Sequence, residues 1–307
     1  MFKAGYVGVV GKPNAGKSTL INKLVGYKVA ITTPKPQTTR FNIKGIVTSE
    51  TSQIVFIDTP GVHTPKNKLG EYMMKGVTNA VNETNIILYL VDATHTKIDD
   101  SAKKVIDDII KLNKKTILCI NKIDKIAKEN LFSIIQMYND YVHKYDFEFK
   151  DIIPISVYKN DGLDVLIKVI ENNLDESEML FAEDEFTDMT EREIVQENIR
   201  EKLLKNLNEE VPHNLTVEVD TFLEKENINK EPTYYISADI ICEKNTHKAI
   251  VIGNDGSMLR HITNESRLDL EKVLDTKVKL KLWVKVRENW LDNENYLKNV
   301  KYRNTDK

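Results

Sequence analysis

The stretch Gly11-Lys12-Pro13-Asn14-Ala15-Gly16-Lys17-Ser18-Thr19 follows the apolar run at 6–10 directly and precedes a helix-like segment. It satisfies the spacing G-x-x-x-x-G-K-S, in the strand, loop and helix order that a phosphate-cradling loop requires. The residue types follow from the chemistry. Gly11 and Gly16 let backbone N–H groups wrap around phosphate oxygens, Lys17 neutralises the outer phosphates, and Ser18 offers a hydroxyl to Mg²⁺. The competing reading is a Gly-rich turn with an incidental lysine, and the flanking elements argue against it. A bound nucleoside triphosphate is therefore expected.

Outward from this loop, short β-branched runs at 6–10, 43–48, 54–57, 86–91, 116–120 and 152–155 alternate with longer amphipathic stretches. This pattern predicts an α/β domain with a mainly parallel sheet covered on both faces, whose ligands sit at the carboxyl ends of the strands. The third run ends in Asp58-Thr59-Pro60-Gly61, a D-x-x-G in which Asp58 is the metal-side carboxylate and the Gly61 N–H meets the γ-phosphate. Alone this tetrapeptide is an ordinary turn; its distance from the phosphate loop gives it meaning. Asn121-Lys122-Ile123-Asp124 closes the fifth run. The Asp124 carboxylate accepts from guanine N1 and the 2-amino group, donors that adenine does not present there. A site built on such bonds discriminates by about 10⁴- to 10⁵-fold. Asn121 reaches the other base edge and braces the phosphate loop, the Lys122 stem lies along the ring, and Ser156, with Val157 after it, completes the base site through backbone contacts. Within Pro36-Gln37-Thr38-Thr39-Arg40, Thr39 is favoured as the Mg²⁺-sensing threonine and Thr38 is the close alternative. Val62 follows Gly61 where many small GTPases carry a water-orienting glutamine, so slow intrinsic hydrolysis is expected.

The 307 residues carry a net charge of −3, which announces no global affinity for nucleic acid. The distribution is more informative: residues 1–170 hold 24 Lys+Arg against 17 Asp+Glu, residues 171–191 hold none against 9, and residues 192–307 hold 20 against 21. The acidic block marks a boundary and predicts a domain over 1–172, a linker over 173–189 and a second domain over 190–307 with a C-terminal tail. Cys119 and Cys242 each lie in an apolar run with no metal-ligand spacing, and buried reduced thiols are expected. The opening residues lead at once into a strand, and no apolar run approaches the roughly 20 residues that span a bilayer. A cytoplasmic location follows as an expectation.

Beyond the acidic block a helix is expected over 190–207, strands over 215–222 and 234–242, a helix over 257–274 and a strand over 277–287. The last strand alternates strictly, with Lys277, Lys279, Lys281, Trp283, Lys285 and Arg287 on one face and aliphatic residues on the other. Its cationic face is suited to a phosphate backbone and one stacked base, or is simply solvated. Upstream, Gly253-Asn254-Asp255-Gly256 joins two helix-like stretches, and Ser257 and Arg260 open the second. This is the layout of a KH module, whose G-x-x-G turn clamps single-stranded RNA. Asp255 in that turn argues the other way, because it repels phosphate.

With GKPNAGKS, QTTR, DTPGV, NKID, VIGNDG and LWVKVRENW in this order, the chain resembles the bacterial Era GTPase family over nearly its whole length. The resemblance implies a GTPase domain followed by a type II KH domain that binds the 3′ end of 16S ribosomal RNA during maturation of the 30S subunit. It implies Mg²⁺ with GTP or GDP, a hydrophobic residue after D-T-P-G, and a potassium ion held by Asn14 that aids hydrolysis alongside Lys17 and Thr39. It also implies a loose association with the inner membrane face; a monomer is expected. Two departures stand out: the GNDG loop is less basic than usual, and Val157 stands where alanine is common. Two other readings compete with a GTP-driven assembly factor. One is a signalling GTPase whose second domain binds protein or membrane; the other is an RNA chaperone that binds GTP without turnover.

Overall fold

The computed structural model describes residues 1–35, 38–61, 65–226 and 230–299. These residues form two compact units, the first of 1–30, 39–61 and 73–188, the second of 31–35, 38, 65–72 and 189–299. The first unit has strands β1 (Lys3–Val10), β2 (Ile43–Thr48), β3 (Ser52–Asp58), β4 (Ile86–Asp92), β5 (Lys115–Asn121) and β6 (Asp151–Pro154) in the order β2-β3-β1-β4-β5-β6. β2 runs antiparallel to β3; the other pairings are parallel. The helices are α1 (Lys17–Val25), α2 (Lys68–Glu83, in this unit from Met73), α3 (Asp100–Leu112), α4 (Lys128–Val142) and α5 (Leu163–Asn173). All seven residues of β3 are buried, as are the last six of β5. Strands shielded on both faces must be continuously apolar, and this explains the β-branched runs. Cys119 is fully buried in β5, and its thiol is pushed far up by loss of water.

The acidic segment after α5 is not a free tether. Glu176 bridges Lys3, Thr187 bridges Gly45 of β2, and the Phe186 carbonyl accepts from Ile46 N–H. Gln53, fully buried in β3, holds its middle: Oε1 accepts from Leu180 N (2.8 Å) and Phe181 N (2.9 Å), and Nε2 donates to Phe181 O (3.0 Å). Phe186 stacks on Tyr27 with centroids 4.4 Å apart, and Lys44 pairs with Asp188 at 3.1 Å. The segment thus covers the edge of β2, whose unpaired backbone groups would otherwise template association.

The second unit contains α6 (Glu191–Asn206), β7 (Leu215–Glu226), β8 (Pro232–Cys242), α7 (Asn245–Ile252), α8 (Ser257–Val273), β9 (Lys277–Val286) and α9 (Glu294–Asn299). The sheet order is β7-β8-β9, with β7 antiparallel and β9 parallel to β8. Thr190 opens α6 with a reciprocal capping box to Glu193, which fixes the start of the helix. Val195, Ile199 and Leu203 of α6, Val251 of α7 and Ile262 and Leu270 of α8 bury against Val278, Leu280 and Leu282 of β9. The three helices therefore lie on the aliphatic face of the sheet. The α-β-β-α-α-β order is the one that the sequence pattern predicts. No helix among the described residues is long and apolar enough to cross a membrane.

Gln53→Ala should release residues 176–188 and leave two partly buried N–H groups to find water, with a loss of about 1 kcal/mol in urea unfolding. Amide hydrogen exchange should rise in that segment and stay unchanged in β4 and β5.

Candidate nucleotide and nucleic-acid sites

The phosphate loop joins β1 to α1. Gly16 adopts φ +104°, and a Cβ there would come within 2.5 Å of Asn121 Nδ2, so only glycine lets the two motifs meet. Asn121 Nδ2 donates to Ala15 O at 2.9 Å, while its Oδ1 accepts from Lys122 N (2.8 Å) and Val157 N (3.2 Å). One amide thus ties the phosphate loop to both base-side loops. Lys17 is buried, with Nζ 3.0 Å from Gly11 O and 3.1 Å from Lys12 O. Burial pushes its pKa down; the nearby Asp58 charge offsets part of that.

Three oxygens from separate segments converge beside this lysine. Ser18 Oγ donates to Asp58 Oδ2 at 2.6 Å, Thr39 Oγ1 donates to the same oxygen at 3.0 Å, and the two hydroxyls are 3.1 Å apart. Hard, compact oxygen donors of this kind suit Mg²⁺, which takes few protein ligands and completes its shell with phosphate and water. Thr38 lies elsewhere: its hydroxyl is 2.8 Å from Thr33 Oγ1 and 2.7 Å from Lys35 O. The geometry separates the two threonines that the sequence left open. Thr59 Oγ1 anchors to Val9 O at 2.8 Å, and Gly61 packs so close to Pro13 that a Cβ would press on the ring at 3.0 Å. Val62 lies outside the described residues.

At the base side, Ser156 Oγ donates to Asp124 Oδ1 and accepts from Lys159 N at 3.1 Å, holding the carboxylate in place. Lys122 Nζ donates to Asn14 O at 2.9 Å and to Asp92 Oδ2 at 2.5 Å. Burial pushes the Asp92 carboxyl up, but hydrogen bonds from Lys122 and Thr94 outweigh it and leave the pKa lowered. Sequence reasoning missed Asp92. The available signal was its place at the end of β4, in register with Asn121 on β5. Lys12 also pairs with Asp99, the N-cap of α3, a contact with no sequence signature.

In the second unit the residues proposed to bind RNA fall into two patches. Gly253 (φ +70°), Asn254, Gly256, Ser257 and Arg260 lie at the α7–α8 turn, within the helical layer; a Cβ on Gly253 would strike Met258 Cβ at 2.7 Å. Lys279, Lys281, Trp283 and Lys285 alternate with the core residues of β9, and so lie on the face away from the helices, with Arg287 just beyond the strand. Trp283 is 60% exposed. The second patch is less cationic than β9 alone suggests. Lys285 Nζ pairs with Asp239 of β8 at 2.6 Å, Lys279 sits 4.8 Å from the Tyr235 ring centre, and Arg287 stacks 4.1 Å over Tyr296.

The fold and these sites define a phosphate-loop GTPase joined to a KH domain. Family models agree: residues 6–122 match "50S ribosome-binding GTPase" and residues 210–291 match "KH domain". The chain is 45% identical over 303 residues to GTPase Era of Clostridioides difficile, covering 98% of this chain and 99% of that protein. It is 43% identical to GTPase Era of Ruminiclostridium cellulolyticum, with 98% of each chain covered. Among solved structures, a variant of Aquifex aeolicus Era bound to GDP·AlF₄⁻ matches with TM-score 0.90 and 38% identity, covering 98% and 99% of the two chains. Era in complex with MgGDPNP and nucleotides 1506–1542 of 16S ribosomal RNA matches with TM-score 0.90, 37% identity and the same coverage. The chain belongs to the Era GTPase family.

Asp124→Asn replaces an acceptor by a donor. GTP affinity should fall by about 10⁴-fold, and xanthosine triphosphate, which presents a carbonyl at position 2, should gain. Competition against a fluorescent guanine nucleotide measures both.

Proposed function

We propose that this chain is a slow GTP-hydrolysing switch that binds 16S ribosomal RNA near its 3′ end and assists assembly of the 30S subunit. The observation that carries the reading is the convergence of Ser18, Thr39 and Asp58 at the phosphate loop, in a chain that also has a KH unit. The Era relative solved with MgGDPNP and a 16S fragment supports the choice of nucleotide and RNA.

Mg²⁺, when bound with GTP, withdraws charge from the β- and γ-phosphates. Ser18, Thr39 and Asp58 are the residues that would hold it. Lys17, held by two loop carbonyls, is preset against the phosphates and exchanges those carbonyls for phosphate oxygens at little cost in reorganisation. The Gly61 N–H would meet the γ-phosphate, and Asp124 would read the guanine edge. Val62 cannot orient the attacking water, so hydrolysis depends on another group. Asn14, in the left-handed region at φ +63° within the loop, is assigned to a potassium ion that supplies this help. If so, phosphate release should be at least several-fold faster in potassium than in sodium, and Asn14→Ala should abolish the difference. Equal rates in the two salts would remove potassium from the mechanism.

In the RNA-binding unit, the G-x-x-G turn takes the single strand and the bare sheet face adds phosphate contacts through Lys279 and Lys281, with Trp283 as a stacking platform. GTP alters RNA affinity only as far as the two nucleotide states differ in RNA binding. Filter binding of the 16S 3′ segment should weaken about tenfold or more in Lys279→Glu/Lys281→Glu, and should differ between the GTP-analogue and GDP states. Loss of RNA binding in neither test would favour a second domain that recognises protein or membrane instead.

A further inference from the structure

β4 ends at Asp92, and its pairing with β5 continues one residue further: Ala93 N–H donates to Asn121 O at 2.8 Å. Asp92 stands opposite Asn121, the residue before Lys122. Strand pairing within one compact unit therefore sets the backbone of Asp92 beside the base-side turn. The carboxylate is then fixed locally. Its Oδ1 accepts from Thr94 N at 2.9 Å and from Thr94 Oγ1 at 2.8 Å, an Asx turn that leaves Oδ2 for another donor. That donor is Lys122 Nζ, at 2.5 Å.

Lys122 occupies the left-handed region at φ +67°, which is unfavourable for a lysine and sets the direction in which its side chain leaves the turn. From there the ammonium reaches Asp92 and also Asn14 O of the phosphate loop, the latter at 2.9 Å. An exposed lysine samples many rotamers, and a surface ion pair restrains it weakly. This pair is not a surface one, because the Asp92 side chain is 11% exposed and that of Lys122 26%. Burial raises the Asp92 carboxyl, but hydrogen bonds from Lys122 and Thr94 bring it below its ordinary value, so the charge that holds the lysine is present at neutral pH. Of the two bonds that Lys122 makes, the one to the carboxylate is the stronger. Asp92 is thus the main restraint on the path of the lysine stem. A stem already fixed loses little freedom when a ring is laid against it.

We infer that Asp92 is a positioning residue for guanine nucleotides: through Lys122 it presets the stem on which the purine ring lies. The inference rests on the reading of Asn121-Lys122-Ile123-Asp124 as the base site. Substrate and product share the base, so Asp92 strengthens GTP and GDP binding alike and leaves the hydrolytic step untouched.

The test is a double-substitution cycle on the full chain, with Asp92→Asn, Lys122→Met and both together. Fluorescent GDP and a fluorescent non-hydrolysable GTP analogue are titrated onto each, and kcat and KM for GTP are measured at steady state. Asp92→Asn preserves side-chain size and an acceptor for Thr94. It should weaken both nucleotides on the order of tenfold, the scale of one charge-assisted hydrogen bond, and raise KM to match while kcat stays within about twofold. Lys122→Met keeps the stem, loses the ammonium and should weaken both nucleotides at least as much. In the Lys122→Met background, Asp92→Asn should add less than about twofold, because its route to the nucleotide is gone. Unchanged affinities in Asp92→Asn beside a loss in Lys122→Met overturn the role of Asp92 and leave that of Lys122 standing. Losses that multiply in the double variant overturn it too, since Asp92 then acts by another route. So does a fall in kcat as large as the rise in KM. Unchanged affinities in Lys122→Met overturn the reading of the lysine itself, and this inference with it.

Discussion

A lysine cation taken out of water organises the nucleotide-binding unit. Lys17 is 7% exposed, and an ammonium so buried costs several kcal/mol unless oxygen surrounds it. The carbonyls of Gly11 and Lys12 meet that demand, which requires the loop to turn its carbonyls inward. The turn uses left-handed backbone at Asn14 and φ +104° at Gly16. The absence of a side chain at Gly16 in turn admits the Asn121 amide, which reaches Ala15 on one side and Val157 on the other. The proposed phosphate and base sites are therefore structurally linked through one amide. The base loops inherit their position from the conformation that keeps Lys17 solvated by backbone.

The parts of this arrangement that were legible in sequence are those set by the backbone. A phosphate loop, a D-x-x-G turn and an N-K-x-D strand end each impose residue types on a short continuous segment, and all three sit at the carboxyl ends of β1, β3 and β5. The six β-branched runs were legible for the same reason, since a strand covered on both faces has no polar alternation to obscure it. Between the two threonines the sequence favoured Thr39 but kept Thr38 as a close alternative, because adjacent threonines differ only in which way the chain turns them. Asp92 was missed because its partner Lys122 is 30 residues away and meets it through strand register.

The same limit explains β9. Its period of two is visible within the strand, and the aliphatic half packs as read. What a strand cannot reveal about itself is its neighbour: Asp239 lies opposite Trp283 on β8 and takes Lys285 as a partner. On α6, the helix over 190–207 was legible, whereas nothing in the sequence marks its charged side as exposed or covered. It is buried: Arg200 pairs with Glu197 and with the Thr38 carbonyl, and Glu201 takes Lys202, Lys205 and the Thr32 N–H. A buried polar helix face looks the same as a wet one until its partners are known.

Charge is balanced along the chain in a way that bears on how the protein finds a polyanion. The first 170 residues carry an excess of seven positive charges (24 less 17), and the following 21 residues carry nine negative ones. That acidic strap is laid against the sheet edge of the same unit, with Lys44 on Asp188 and Lys115 on Asp175. The surplus is neutralised locally, so the nucleotide-binding unit exerts little long-range pull on phosphate. In the second unit Asp239 and Asp255 reduce the field of each proposed RNA patch. Each cation paired within the protein is one fewer counterion released on binding, so the Lys285–Asp239 pair lowers the dependence on salt. On the proposed reading, recognition of RNA by such a surface would draw on the shape of the G-x-x-G turn and on stacking at Trp283 as well as on electrostatic attraction. A protein built this way is poorly suited to hold nucleic acid at random and well suited to bind one segment whose geometry it matches.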